Sequence, residues 1–213
     1  MLLYLATTNK HKTREIAQML KPLNIEVRDV AKLVGYTAPE ETGKTFAENA
    51  RLKALALKSF LSQSHDLKYE EIAILADDSG LVCDDLKGAP GIHSARFAGE
   101  KATDAQNNAK LVSEMQMITH STRRARYVCA LCFIAPDHKH YDLVETCEGL
   151  IVLEPKGQSG FGYDPYFYVE SYQKTMAELL PAEKNQVSHR GKALKRLERV
   201  LQSLLQKIPH CDT

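Results

Sequence analysis

The period of the apolar positions changes several times along the chain, and each change marks an element. Residues 2–6 form a short unbroken apolar run, as a strand buried on both faces requires. Ile16, Met19, Leu20 and Leu23 then fall at i, i+3, i+4 and i+7, one face of a helix, with Pro22 near its end. Residues 25–30 suit a second strand, and residues 35–44 are rich in turn formers. Thr45 and Glu48 make the T-x-x-E pattern of a capping box, and alanine and leucine carry the helix it opens through Leu61. Residues 62–71 are polar and read as a loop. The next strand, 72–76, is predicted to end on the aspartates Asp77 and Asp78. The glycine-rich segment 87–100 reads as an ordered loop over a site. Thr103 or Asp104 caps a helix that runs to about Met117. Residues 125–135 and 142–153 are predicted strands joined by the polar turn PDHKH, and the glycine-rich loop 157–165 leads into a short strand at 166–169. The last helix starts near Ser188, with Leu194, Leu197, Leu201, Leu204 and Ile208 as its apolar stripe. Strands and helices in this order predict an α/β fold, a mixed sheet flanked by helices.

Composition narrows the functional classes. A chain of 213 residues suits one domain, 1–213, with room for two lobes. A net charge of +1 argues against a general grip on a nucleic-acid backbone, but a few local Lys and Arg residues suffice for a small phosphorylated ligand. No apolar run approaches the roughly 20 residues of a membrane span. The start, MLLYLATTNK, lacks the basic leader of a signal peptide. Five cysteines, an odd number with irregular spacing, suit the reducing cytoplasm. Cys129 and Cys132 form a C-x-x-C, but on a strand they face opposite sides, so they are expected to be buried thiols.

Four stretches carry candidate chemistry. Thr7, Thr8, Asn9, Lys10, His11 and Lys12 join a strand to a helix, where free backbone N–H groups and a partial positive charge receive phosphate; the plainer alternative is a capped helix with solvated lysines. Of Asp77 and Asp78, which point to opposite sides of a strand, one is free to bind Mg²⁺ and the other to orient a water or support the loop. The alternative there is an Asp-Ser-Gly turn ending the strand. Glu40-Glu41 belongs with this pair, as a place from which a carboxylate is able to reach the same metal or to interact with a helix dipole. Gly43-Lys44-Thr45 imitates the end of a P-loop, but Ala38 stands where that pattern needs glycine and no strand precedes it. In the loop Ser159–Pro165, two glycines allow close approach to a ligand, Phe161 and Tyr163 offer flat faces, and Asp164 offers an acceptor; the alternative is a hairpin or loop with core aromatics. Finally, Lys184 and Ser188-His189-Arg190-Gly191 bring donors suited to a carbonyl or phosphate; the alternative for Arg190 is a solvated residue at a helix start. Together these are the requirements of a nucleoside triphosphate bound with Mg²⁺.

At this point the chain resembles the inosine triphosphate pyrophosphatases, or XTP/dITP diphosphatases. The likeness is carried, in order, by ATTNKHKTREI (6–16), EETGKTFAENARLKA (40–54), LADDSGL (75–81), GAPGIHSARF (88–97), SGFGYDPYF (159–167) and SHRGKAL (188–194). Thr8 departs from the pattern, since many relatives carry glycine there. The resemblance implies an elongated two-lobed α/β fold with a central cleft, a cytoplasmic homodimer, and Mg²⁺-dependent hydrolysis of ITP, dITP and XTP to the monophosphate and pyrophosphate. It implies that Thr7, Thr8, Asn9, Lys10, His11 and Lys12 hold phosphates, that Glu41 and Asp78 serve the metal, and that Asp78 accepts a proton. It implies that Ser79 contacts substrate and that Phe161, Gly162, Tyr163, Asp164, Lys184, His189 and Arg190 bind the nucleoside end. A 6-oxo purine accepts hydrogen bonds where adenine donates them, so donors at His189 and Arg190 would reject ATP. The rival expectations are a phosphatase that forms an aspartyl-phosphate, and a nucleotide sensor without turnover.

Overall fold

A computed structural model describes residues 1–63, 72–119 and 122–206. A seven-stranded mixed sheet runs in the order β2-β1-β3-β4-β5-β6-β7. β1 (Leu2–Leu5) lies parallel to both β2 (Glu26–Asp29) and β3 (Ile72–Cys83). β4 (Arg124–Ile134), β5 (His140–Ile151), β6 (Phe167–Val169) and β7 (Lys174–Thr175) add on antiparallel. The α/β class and mixed sheet read from the sequence are therefore correct, and the molecule is elongated and two-lobed.

One face of the first lobe is covered by α1 (Lys10–Leu20) and α5 (His189–Leu205), which bury Ile16, Leu20, Leu194, Leu197 and Leu201 against Leu3, Leu5, Ala73 and Leu75. The other face is covered by α2 (Phe46–Ser62), which sets Ala50, Ala54, Leu57 and Leu61 on Tyr4, Ile72, Ile74 and Ala76. Alternate β3 residues thus enter opposite cores, as a pleated strand dictates. The second lobe is built on the far half of β3 with α3 (Asp104–Gln116) and β6, around Leu81, Leu111, Met115, Tyr127 and Phe167. A short helix, α4 (Pro181–Val187), precedes α5. No described helix is long and apolar enough to cross a membrane.

Several boundaries differ from expectation, each for a physical reason. α1 stops at Leu20, and Pro22 sits in a 3₁₀ turn over Lys21–Leu23 rather than in the helix. Thr45 caps α2 by accepting from the Glu48 N–H (3.2 Å), but the Glu48 carboxylate turns back to the Lys44 N–H (2.6 Å), so the box is offset by one residue. Cys129 and Cys132 are buried free thiols on opposite faces of β4. Ile208 and most of the loop read at 62–71 lie outside the described residues.

The largest correction concerns β3. It does not end at Asp77 and Asp78 but continues through them to Cys83, paired with β4 at Asp77↔Leu131 and Asp78↔Ala130. What ends there is its neighbour: β1 stops at Leu5, opposite Leu75, and Ala6 makes the last bond, to the Leu75 carbonyl (2.8 Å). Beyond that point a 3₁₀ segment, Gly91–Arg96, takes over the vacated edge, and the Ser94 hydroxyl accepts from the Leu81 N–H (2.9 Å). Between the end of β1 and this segment the sheet edge opens as a crevice, at a switch point where open sheets hold ligands.

Candidate active site

A cleft of about 360 Å³, in the range of small-molecule sites, occupies this crevice. Of the residues singled out in the sequence, Thr7, Thr8, Asn9, Lys12, Glu41, Asp78, Ser79, Phe161, Gly162, Tyr163, Asp164, Lys184, His189 and Arg190 line it. Lys10 and His11 do not. Lys10 is exposed at the first position of α1, and His11 stacks on Phe161 with ring centres 5.1 Å apart.

Asp77 and Asp78 point to opposite faces of β3, and each meets the cations of the helices covering its face. The fully buried Asp77 receives Lys12 of α1 and Arg190 of α5, the latter through Nε at 2.9 Å. The Ser79 hydroxyl (3.0 Å) and the Cys129 thiol (3.4 Å) donate to it as well. Burial alone would raise the Asp77 carboxyl, but the charges of Arg190 and Lys12 outweigh it and hold the group well below the usual range. Asp77 is thus an internal counter-ion that fixes two cations of the cleft wall.

Asp78 faces α2. Lys53 Nζ donates to it at 2.8 Å and to Glu41 at 3.1 Å, and Asn49 Nδ2 lies 3.4 Å away. Burial pushes the Asp78 carboxyl up, and the opposing charges of Lys53 and Lys12 do not cancel it. Lys53 and Asn49 lie on the buried stripe of α2, four residues apart. Polar residues on an otherwise apolar stripe were the available sequence signal for both.

The wall around the loop 159–164 is a second cluster. Arg190 donates to Glu15 (2.6 Å) and to the Ser79 hydroxyl (2.8 Å) besides Asp77, so three of its five N–H donors are engaged among the described residues. Lys184 joins Glu15 (3.0 Å) and Asp164 (2.8 Å). Glu15 was not anticipated, although its place beside Lys12 and Ile16 on the buried face of α1 is legible. Lys184 and Arg190 also lie 5.2 and 5.8 Å from the centre of the Phe161 ring. His189 stacks on Tyr127 (4.7 Å), and burial together with Arg190 keeps its imidazole well below its ordinary value, hence neutral. Two expected roles change. The Asn9 side-chain oxygen caps α1 by accepting from the His11 (2.9 Å) and Lys12 (3.2 Å) N–H groups, which leaves only its NH₂ to donate elsewhere. Tyr163 borders the cleft but also belongs to the second-lobe core, and its hydroxyl donates to the Ser94 carbonyl (2.7 Å).

The loop itself depends on glycine. Gly160 has φ +82, and a Cβ there would lie 2.0 Å from Asp164 Oδ2, the atom that accepts from the Phe161 N–H and from Lys184. Gly160→Ala is therefore expected to destabilise the protein by about 1–3 kcal/mol, seen as a lower midpoint in thermal melts. An unchanged midpoint would show that the loop yields freely.

The sequence profile of the Ham1 family matches residues 3–200. A Desulforamulus reducens protein named dITP/XTP pyrophosphatase is 48% identical over 204 residues, covering 96% of this chain and 97% of its own. A Bacillus anthracis protein of the same name is 45% identical over 195 residues, covering 91% and 92%. Among solved structures, the Staphylococcus aureus Ham1 protein aligns with a TM-score of 0.81 at 35% identity, covering 95% of this chain and 99% of its own. The HAM1 protein of Coxiella burnetii aligns with a TM-score of 0.82 at 38% identity, with the same coverage. On the profile match and these relatives, the chain belongs to the Ham1 family.

Proposed function

We infer that this chain, acting as one domain, hydrolyses non-standard purine nucleoside triphosphates (ITP, dITP and XTP) to the monophosphate and pyrophosphate in a Mg²⁺-dependent reaction. One observation carries the reading: a single cleft joins the Glu41–Lys53–Asp78 cluster to the wall made by Phe161, Lys184 and Arg190. The names of the dITP/XTP pyrophosphatase relatives support it.

Among the described residues no group of three or more His, Cys, Asp or Glu side chains is arranged to hold a metal. Mg²⁺, however, is usually held by one or two carboxylates together with substrate phosphates. Glu41 and Asp78 fit that requirement: both already converge on one cation, the Lys53 ammonium. The chemistry Mg²⁺ supplies in such a place is neutralisation of phosphate charge and help to a departing pyrophosphate. In our reading Thr7, Thr8, Asn9 and Lys12 hold the phosphate chain, and Asp78 takes the proton from the water that attacks the α-phosphorus. A carboxyl raised by burial is a better base than an exposed one. Asp77, wholly engaged with Arg190 and Lys12, is unsuited to attack phosphorus itself, which disfavours an aspartyl-phosphate route.

At the other end the purine packs against Phe161, whose other stacking partner is His11, and the remaining N–H donors of Arg190 meet its 6-oxo group. Adenine would place an amino donor against a cation already committed to Asp77 and Glu15. Discrimination against ATP on the order of 10⁴ is within reach of such a mismatch. Products identify the reaction: ITP and XTP are expected to give monophosphate plus pyrophosphate with ATP nearly untouched. Orthophosphate as first product, or binding without turnover, would refute the assignment. Chelation of divalent metal is expected to lower turnover by at least about 10²-fold and leave the thermal midpoint unchanged, since the Glu41–Lys53–Asp78 bonds need no metal. A chelated enzyme that keeps its rate would contradict the metal's role. We further assign a cytoplasmic homodimer, for which sedimentation should give twice the 23.9 kDa chain mass. The buried free thiols of Cys83, Cys129, Cys132 and Cys147 are compatible with a reducing compartment.

A further inference from the structure

The Phe161 ring stands between two glycines with left-handed backbone, Gly160 (φ +82) and Gly162 (φ +62). A Cβ at Gly162 would meet nothing within 4 Å, so packing around that residue does not hold the loop. Besides the Phe161 N–H bond to Asp164 Oδ2 (3.0 Å) and the stack of Phe161 on His11 (5.1 Å), α3 holds it. Asp104 Oδ2 accepts from the Gly162 N–H at 2.7 Å, and Asn108 Nδ2 donates to the Gly162 carbonyl at 2.9 Å. Both polar groups of one residue's backbone are thus gripped by side chains four apart on one face of α3. The helix is itself fixed. Thr103 and Gln106 form a full capping box, Leu111 and Met115 are buried, and Asn107 bonds the Ala95 carbonyl (3.1 Å) and the Ala98 N–H (2.8 Å). Asn107 thereby ties α3 to the segment that replaces β1 at the edge of β3.

We propose that Asp104 and Asn108 are positioning residues for purine recognition: by clamping the Gly162 backbone they set where the Phe161 ring stands relative to Arg190 and Lys184. This rests on the reading that the base stacks on Phe161. The clamp touches the loop and leaves the Glu41–Lys53–Asp78 cluster alone, so its loss should weaken binding of the base and spare the phosphate end. Asp104 needs only an acceptor oxygen for its part, so Asp104→Asn should retain function where Asp104→Ala does not.

The test compares two inhibitors of ITP hydrolysis: IMP, which carries the base, and inorganic tripolyphosphate, which does not. Asp104→Ala and Asn108→Ala are each expected to raise the inhibition constant of IMP and the KM for ITP about 10-fold, given what a stacked base contributes. The tripolyphosphate constant and kcat should stay within about two-fold, with Asp104→Asn near the parent protein. Either alanine variant decides the matter if the other does not fold. Parallel weakening of both inhibitors would show a merely structural role and overturn the proposal. Phe161→Ala is the control for the underlying reading. If it weakens IMP while the clamp variants do not, the clamp proposal alone fails; if it leaves IMP inhibition intact, the base does not use that ring and both fall.

Discussion

Asp78→Asn is expected to lower kcat for ITP by about 10³-fold, within the range of general-base effects, in a protein that stays fully folded. The carboxamide keeps the shape of the side chain and an oxygen for Lys53, which now donates at 2.8 Å, but it cannot take a proton. Stability should respond in the opposite direction from activity. Burial raises the Asp78 carboxyl on folding, so in metal-free protein its ionised form is disfavoured by the fold. The contribution of this group is fully present below its unfolded value, about pH 3.9, and is lost as pH rises through the higher folded value. At neutral pH a neutral amide removes that burden, and the thermal midpoint in chelator should hold or rise, as is common when a strained catalytic group is removed. A variant with near-parental kcat would remove Asp78 from the reaction. One with a sharply lower midpoint would show that it serves the fold instead.

One residue earlier the expectation inverts. Asp77→Asn should cost about 3–5 kcal/mol, because it removes the carboxylate that Lys12 and Arg190 share and leaves the buried Arg190 with Glu15 alone. For a chain of this size that corresponds to a fall in midpoint on the order of 10 °C. The pH dependence follows from the sign of the shift. The folded Asp77 carboxyl lies well below its unfolded value, so its contribution is present above about pH 3.9 and disappears as pH falls toward the folded value. The gap between parent and variant should therefore be widest near neutrality and close in acid. Denaturant titrations of both proteins across that range give the comparison, and a gap independent of pH would mean that the ion cluster is not the source. Activity should drop as well, since Lys12 and Arg190 both lose their common anchor.

This contrast between neighbours shows where the sequence is readable. The alternation of side chains along a strand is local information, so the separation of the two aspartates onto opposite faces followed from their being adjacent. Their partners did not. Lys12 and Arg190 lie 65 and 113 positions from Asp77, and only the packing of α1 and α5 on one face brings them together. The sequence predicts that the strand ends at the aspartates; it continues because each of the two charges meets a cation on its own face. β7, with two residues, and α4, with seven, are too short for periodicity to register. Tyr163 shows where local sequence stops deciding. A ring in a glycine-rich loop reads the same whether it serves a ligand or the core, and here it borders the cleft while its hydroxyl is tied to the Ser94 carbonyl. Lys53 and Glu15 were closer to legible, as charged residues on the apolar faces of α2 and α1, yet which carboxylates or cations they would meet was a property of the assembled cleft.

The account's central claim is a polarity: the triphosphate chain is handled beside Asp78 and Glu41, and the purine oxygen is read beside Arg190. A crystal structure of the Asp78→Asn protein with ITP and Mg²⁺ tests this most directly, since slow turnover preserves the substrate. The account predicts the phosphates between Lys12 and Glu41, the purine against Phe161, and its 6-oxo group within hydrogen-bond distance of the Arg190 guanidinium. A nucleotide bound in the reverse sense, or with its base away from Phe161 and Arg190, would contradict it.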